Sequence, residues 1–395
     1  MDGVDGARRL VDRARAAVGA VVDPETELAL GEVGMVRRVA VDGPIVRVEV
    51  ALAPAQLRSG NAISDAVAAA VGEEDGVERV EVLLQAMTDA EERHAMEALR
   101  RHQPADPPHF VDGATKVVLV TSGKGGVGKS TVAVNLACAL AARGMRIGLL
   151  DADVWGYSVP RMLGSTGDPV GIGEMLLPER VQGLKAVSIG FLADEGSPVV
   201  WRGPMLHEAI SQFISGVYWG PLDVLIADLP PGTGDVPMSL ANLVPGANVL
   251  VVTTPQEAAY RVAERAGRMA TQAKLRIVGV VENMAGFVCE HCGHGNDIFG
   301  GSGGQVLADA LAVPLLGQVP ISVALRQGAD RGRPVVLDAP HDPAALALVA
   351  IAVDLERRAK AVVRKRLAVP IYQQTPVDRS LQRPAALTPS GGVRP

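Results

Sequence analysis

Two rhythms of apolar residues run along the chain, and one replaces the other near residue 116. In the first zone, residues 1–98, Leu10, Val11, Ala14 and Val18 recur at three- and four-residue spacing, which predicts an amphipathic helix. A turn at Asp23-Pro24 follows. Strand-like runs Val36–Val41 and Ile45–Ala51 then flank Asp42-Gly43-Pro44, before a helix over Ala62–Val71 and an alternating strand over Val77–Leu83. These elements predict a small α+β domain. Residues 99–115 contain the Pro-rich, aperiodic RRHQPADPPHFVD and read as a linker.

From Lys116 to residue 366 short apolar runs alternate with helical patterns. The runs are Val117–Val120, Ile147–Leu150, Val224–Ala227, Val249–Val252, Ile277–Val281 and Leu315–Val319. Helices are expected over Ser130–Arg143, near His207–Val217, over Glu257–Gln272 and over Gly303–Ala312. A last helix starts with Asp342 as N-cap and Pro343 in its first turn. Strands buried on both faces and separated by helices imply an α/β domain with a mostly parallel sheet. Residues 367–395 are rich in Pro, Arg and Gln, the composition of a disordered tail.

Composition changes the picture in a few places. With 395 residues there is room for two or three domains, and 48% hydrophobic against 3% aromatic residues means a core of Ala, Val and Leu. A net charge of −6 offers no basis for nucleic-acid binding through a basic surface. The basic run Arg357–Arg366 reads as a solvated helix end. No apolar run approaches the roughly 20 residues of a membrane span. The opening MDGVDGARRLVDRARAA lacks a secretory apolar core, so a cytoplasmic protein is expected. Three cysteines exclude a disulfide framework.

The chemistry begins where Val117–Val120 leads into Thr121-Ser122-Gly123-Lys124-Gly125-Gly126-Val127-Gly128-Lys129-Ser130-Thr131 and then a helix. Strand, G-x-x-x-x-G-K-[ST] and helix together form a phosphate loop for ATP. Its glycines let backbone N–H groups wrap a β-phosphate, and the helix adds its positive end. Lys129 would neutralise β/γ charge, and Ser130 offers a hydroxyl to Mg²⁺. Val224–Ala227 ends in Asp228, a strand-end carboxylate placed to hold the same Mg²⁺. The following Leu229–Asp235 is a Pro/Gly turn expected near the γ-phosphate. Lys124, at the front of the loop, is badly placed to serve its own phosphates. The loop resembles the deviant Walker-A class, in which such a lysine crosses a dimer interface to the partner's nucleotide. That resemblance also implies that Asp153 orients the attacking water and Asp151 supports the metal.

Cys289-Glu290-His291-Cys292 lies in a Gly-rich stretch after Glu282-Asn283-Met284. Two thiolates supply half the ligands of a [4Fe–4S] cluster or a tetrahedral Zn²⁺. A second copy of the chain would supply the rest, and Lys124 points to a homodimer independently. A Zn²⁺ half-site using His291 or His294 and a redox dithiol remain alternatives. Cys138, among Ala and Leu in a helix, reads as a buried hydrophobe.

The segments TSGKGGVGKST, DADVWGYSVP, VVWRGPM, DVLIADLPPGTGD, VENMAGFVCEHCG and FGGSGG resemble the Mrp/ApbC family of P-loop iron–sulfur carriers, over about Lys116–Lys360. The resemblance implies ATP hydrolysis, a cluster assembled between two subunits, and exchange with scaffold proteins and apo iron–sulfur proteins. It also implies that Asn283 reads the adenine edge, with Pro320 packing nearby. The first zone resembles the small SufT-like domain that precedes such ATPases. Relatives commonly carry a cysteine after the second strand, where this chain reads Ala53-Pro54-Ala55-Gln56-Leu57-Arg58-Ser59-Gly60. A thiol role for that domain is not expected. Two rival readings are a ParA/MinD-like positioning ATPase, for which no membrane helix or DNA-binding surface is evident, and a nitrogenase-like reductase, whose cysteines stand far apart.

Overall fold

The computed structural model describes residues 2–58, 60–103, 114–153, 156, 158–165, 170–192, 203–232, 235–289 and 291–362. The middle of the expected linker and all of the expected tail lie outside them, as do Trp201, Arg202, Thr233, Gly234 and Glu290.

The N-terminal zone contains α1 (Asp2–Ala20), α2 (Leu30–Val33), β1 (Val36–Asp42), β2 (Ile45–Leu52), α3 (Asn61–Gly72), β3 (Arg79–Ala86) and α4 (Asp89–Arg101). The strands form a sheet in the order β1-β2-β3, antiparallel at β1/β2 and parallel at β2/β3. The stripe predicted for α1 is the buried one: Leu10, Ala14 and Val18 all face the core. Helix α4 was not legible, because its sequence is mostly charged and it buries only Ala95, Ala98 and Leu99. Capping supplies what hydrophobicity lacks. Thr88 and Glu91 form a reciprocal capping box, and the Arg37 guanidinium grips Glu91 at 2.8 and 2.7 Å. Those bonds, with the Thr88 backbone, pull the Glu91 carboxyl down to about 2.

The second zone supplies β4 (Lys116–Ser122), α5 (Lys129–Ala141), β5 (Ile147–Asp151), α6 (Val159–Leu163), β6 (Val170–Ile172), β7 (Met175–Leu177), β8 (Glu179–Val181) and β9 (Leu184–Ser188). Then come α7 (Gly203–Ser215), β10 (Val224–Asp228), α8 (Asp235–Leu243), β11 (Asn248–Thr253), α9 (Glu257–Gln272), β12 (Arg276–Val288) and β13 (Gly295–Asn296). The last elements are α10 (Gly303–Ala310), β14 (Leu315–Ile321), α11 (Val323–Arg331), α12 (Val335–Asp338) and α13 (Pro343–Arg358). All six predicted strands exist, and Asp342 caps α13 by accepting the Ala344 N–H.

The main sheet runs β13-β12-β11-β4-β10-β5-β9-β8, with β14 also paired to β12. Pairing is parallel except at β8/β9 and β12/β13. One face packs on α5, α12 and α13. The other packs on α7, α8, α9 and α10. Strands β8 and β9 were not predicted; Leu184–Ser188 includes a lysine and a serine, which broke the apolar run.

The two zones share one core. Ile172 of β6, Met175 and Leu177 of β7, and Tyr218 belong to the apolar cluster of the N-terminal sheet and helices. Beside it, the buried Lys185 ammonium donates to Glu27 at 2.7 Å and to the Trp219 carbonyl at 2.8 Å, while Arg180 also pairs with Glu27. The pair is asymmetric. Burial pulls the Lys185 pKa down more than Glu27 restores it. Burial opposes ionisation of Glu27 too, but the bonds from Lys185 and Arg180 outweigh it and hold that carboxyl below its ordinary value.

Candidate functional site

In an open parallel sheet, ligands bind beyond the carboxyl ends of the strands. Register brings three such ends together: Asp228 of β10 lies opposite Val120 of β4 and Asp151 of β5. Backbone bonds fasten the loops that leave them. The Leu229 and Gly232 N–H groups donate to the Val120 and Ser122 carbonyls, and the Ala152 N–H donates to the Asp228 carbonyl.

Beyond β4, Gly126 and Gly128 both take φ of 80°, the left-handed region that lets the loop curl back on itself. Gly123 serves differently. A Cβ there would overlap the Ala263 backbone of α9, so the loop lies directly on that helix. Gly125 is exposed, Val127 is buried, and Ser130 and Thr131 open α5. Lys129 is only 6% exposed. Its ammonium donates to Asp228 Oδ1 at 2.6 Å, reaches Ser130 Oγ at 3.4 Å and stands 3.6 Å from Asp153 Oδ2. Lys129, Ser130, Asp153 and Asp228 therefore lie in one cluster at the carboxyl ends of the strands.

Asp151 does something that its expected role as metal support did not include. Its Oδ1 accepts the Asp153 N–H at 3.1 Å, and its Oδ2 accepts from the Val159 N–H and the Ser188 hydroxyl at 3.3 and 3.1 Å. Asp151 thus organises the loop that carries Asp153. Complete burial, together with the charge of Asp228, pushes its carboxyl up to about 7. Burial also raises the Asp228 pKa, against the pull of Lys129. Among the described residues the remaining Asp228 oxygen, Oδ2, has no hydrogen-bond partner, and the side chain is fully buried. An orphaned carboxylate oxygen beside a P-loop hydroxyl fits a Mg²⁺ ion, or a water held by one.

Lys124 is folded back onto its own chain, where its ammonium donates to Gln256 Oε1 at 3.3 Å just before α9. Asn283 is buried against the phosphate loop, its amide donating to the Val127 carbonyl at 2.9 Å. A Cβ on Gly128 would collide with that amide, so Asn283 also shapes the loop. Pro320 lies in β14, next to Val319, which pairs with Asn283 across the sheet. Sequence reasoning missed Ser188, Gln256 and Gln318, the last a β14 residue whose amide donates to buried Glu282 at 2.6 Å. Two of these follow from a general rule, because Ser188 ends β9 and Gln256 follows β11, both at the carboxyl ends of the sheet's strands.

The thiols sit on a separate projection. β12 runs past Asn283 and pairs with β13 through Phe287/Asn296 and Val288/Gly295. At its tip the Gly293 N–H donates to the Cys289 carbonyl at 2.8 Å, and the Cys289 N–H donates to the His294 carbonyl at 3.0 Å. Gly293 takes φ of 70°, as this tight turn demands. Cys289 is half-buried, Cys292 is exposed, and neither forms a disulfide. Cys138 lies buried in α5, where desolvation pushes its thiol up to about 12. Among the described residues no three His, Cys, Asp or Glu side chains converge on a metal position. In the N-terminal domain the loop after β2 is closed by buried Gln56, which accepts the Ala53 N–H and approaches Asp23 at 3.4 Å.

Among the described residues no helix is long and apolar enough to cross a membrane. The family model ParA, described as "NUBPL iron-transfer P-loop NTPase", matches residues 113–356. A second model, "Iron-sulfur cluster assembly protein", matches residues 12–83. The chain is 46% identical over 351 residues to the "Iron-sulfur cluster carrier protein" of Mycobacterium leprae, covering 87% of this chain and 91% of that one. The mouse "Iron-sulfur cluster transfer protein NUBPL" is 40% identical over 282 residues, covering 71% and 88%. Among solved structures, a nucleotide-binding protein from Archaeoglobus fulgidus in complex with ADP is 39% identical, with a TM-score of 0.49 over 55% of this chain and 86% of that one. The phosphate loop, its carboxylates and the thiol turn thus occur in a chain that belongs to the NUBPL iron-transfer family of P-loop NTPases.

Proposed function

We propose that this protein is an ATP-hydrolysing carrier that holds an iron–sulfur cluster as cargo between two copies of itself and passes it to apo-proteins. One observation carries the reading: a phosphate-loop site shares strand β12 with a turn that presents two cysteine thiols, and among the described residues no three His, Cys, Asp or Glu side chains gather into a metal site within one chain. Two such turns facing across a two-fold axis supply the four thiolates that a [4Fe–4S] cluster takes. Cluster scaffold proteins and apo iron–sulfur proteins are the donors and acceptors.

When ATP enters, the Lys129 ammonium exchanges Asp228 for the β/γ-phosphate oxygens. Asp228 and Ser130 would hold Mg²⁺, which would supply positive charge to neutralise that developing on the phosphates. The loop N–H groups from Gly123 to Thr131 bind the phosphates, while Asn283 and the segment at Pro320 border the base. Asp153 accepts a hydrogen bond from water and aligns it with the γ-phosphorus. Attack forms the new P–O bond as the bond to the ADP oxygen breaks, giving ADP and phosphate. Lys124 leaves Gln256 and reaches the partner's nucleotide, so a complete centre exists only in the homodimer. Nucleotide state thereby governs whether the thiol turns hold or release the cluster.

The test is anaerobic reconstitution with iron and sulfide, followed by visible absorbance, metal analysis and mass in solution. Charge-transfer absorbance in a dimer, lost in Cys289→Ser and in Cys292→Ser, supports the reading. Zinc in place of iron and sulfide, or a monomer that retains both nucleotide and cluster, refutes it.

A further inference from the structure

Glu282 is a fully buried carboxylate for which the nucleotide chemistry has no use. It precedes Asn283 in β12, and successive side chains in a strand point to opposite faces. Asn283 faces the α5 layer and bonds the phosphate loop. Glu282 faces the α9/α10 layer. Its Oε2 accepts the Gly304 N–H in the first turn of α10, and its Oε1 accepts from the Gln318 amide of β14 at 2.6 Å. A buried carboxylate is tolerated only where donors meet its charge, and here the positive end of α10 does so. The contact is close: a Cβ on Gly304 would stand 2.6 Å from Glu282 Cβ. Neighbouring Gly303 lies against the Pro255 carbonyl, and Pro255 precedes the Gln256 that holds Lys124.

Everything between these anchors is the thiol projection. The chain departs at Met284, with φ of 58°, and returns at Ser302, with φ of 65°. Both are left-handed without being glycine, a conformation that persists only where the surroundings impose it. Between Asn283 and Phe287 the pairing of β12 with β14 slips its register, the irregularity by which strands re-aim side chains near functional sites. One end of the projection is therefore fixed by Asn283 to the phosphate loop. The other is fixed by Glu282 through α10.

We infer that Glu282 is a positioning residue for cluster handling: it clamps the α10 end of the Cys289–Cys292 projection to the strand that senses the phosphate loop. A shift of that loop on nucleotide binding moves Asn283, and the adjacent residue carries the movement to the thiols. The inference rests on the reading that nucleotide state governs the thiol turns.

The test uses full-length, cluster-free, reduced protein and Ellman's reagent, with no nucleotide, with Mg·ADP, or with Mg and a non-hydrolysable ATP analogue. Cys138 is buried and silent in the native fold. The wild-type labelling rate is expected to change by about fivefold or more with nucleotide, the lower range of site-to-site coupling. Glu282→Ala is expected to abolish that change while ADP affinity stays at the wild-type level. Glu282→Gln, which keeps both bonds if the Gln318 amide reverses, removes only the charge and is expected to diminish the change; it decides the matter if the alanine variant does not fold. A folded variant of either kind with the full wild-type nucleotide response overturns the inference, since a mere brace would lower the thermal midpoint and leave that response intact. A wild type indifferent to nucleotide overturns the coupling itself, and needs no variant to show it.

Discussion

Consider the nucleotide-free protein with Lys129 replaced by alanine, the change ordinarily made to abolish phosphate binding. Lys129 here also neutralises a cluster of buried acids: Asp228, with no exposure, at 2.6 Å and Asp153 at 3.6 Å. At an effective dielectric constant near 20, the closer contact alone corresponds to about 6 kcal/mol of attraction. Desolvation of the ammonium and carboxylate opposes it, so truncating one partner of such a pair costs about 3–5 kcal/mol net. At about 1.2 °C per kcal/mol for a chain of 395 residues, the midpoint should fall by roughly 4–6 °C. The deficit should depend on pH with a definite sign. Burial raises the Asp228 pKa even with Lys129 in place, and losing the ammonium raises it further. A raised carboxylate pKa destabilises the fold above that pKa and costs nothing below the unfolded value near about 3.9. The deficit is therefore largest at pH 8 and shrinks towards pH 5. Calorimetry of Lys129→Ala and of Lys129→Ala/Asp228→Asn checks this, because the second change removes the stranded charge and should restore most of the midpoint. An unchanged midpoint in the single variant at pH 8, or no recovery in the double variant, would refute the argument.

Gly123→Ala forces a methyl group into the α9 backbone at Ala263, so weakened ADP binding and an overpacking loss of about 1–3 kcal/mol are expected from titration calorimetry and thermal melts. Lys124→Ala removes one half-exposed contact to Gln256 and should leave stability within about 0.5 kcal/mol. Its hydrolysis rate should nevertheless drop by about 10³, the lower bound for a finger residue acting in trans; a wild-type rate would show that the lysine never crosses. Glu27→Ala strands the buried Lys185 and should cost about 1–3 kcal/mol in urea unfolding. Because bonding holds the Glu27 pKa below its ordinary value, that contribution is present at neutral pH and lost as pH falls through the lowered pKa. The variant should accordingly show less acid sensitivity there than the wild type.

The nucleotide site was legible because local rules fix it. A phosphate loop needs contiguous glycines after a strand, and Asp228 lies directly after an apolar run, so each signal is complete within a few residues. The thiol pair was legible for the same reason. Helix α4 and strand β9 were not. Their stability comes from Arg37 gripping Glu91 and from burial of Lys185 beside Glu27, partners more than fifty and more than one hundred and fifty residues away.

Read alone, the order of residues along the chain establishes an α+β zone followed by an α/β zone, the phosphate loop with its carboxylates, and a closely spaced pair of thiols, since each depends on spacing between near neighbours. What it leaves open are relations between distant residues. That the N-terminal zone shares a core with Tyr218 and the β6–β7 hairpin, that Asp151 anchors its own loop rather than standing free, and that Asn283 and Glu282 bind opposite ends of the thiol projection emerge only once the sheet is assembled. Hydrogen bonds and buried charges are settled by which strands lie side by side, and strand order depends on the packing of the whole chain.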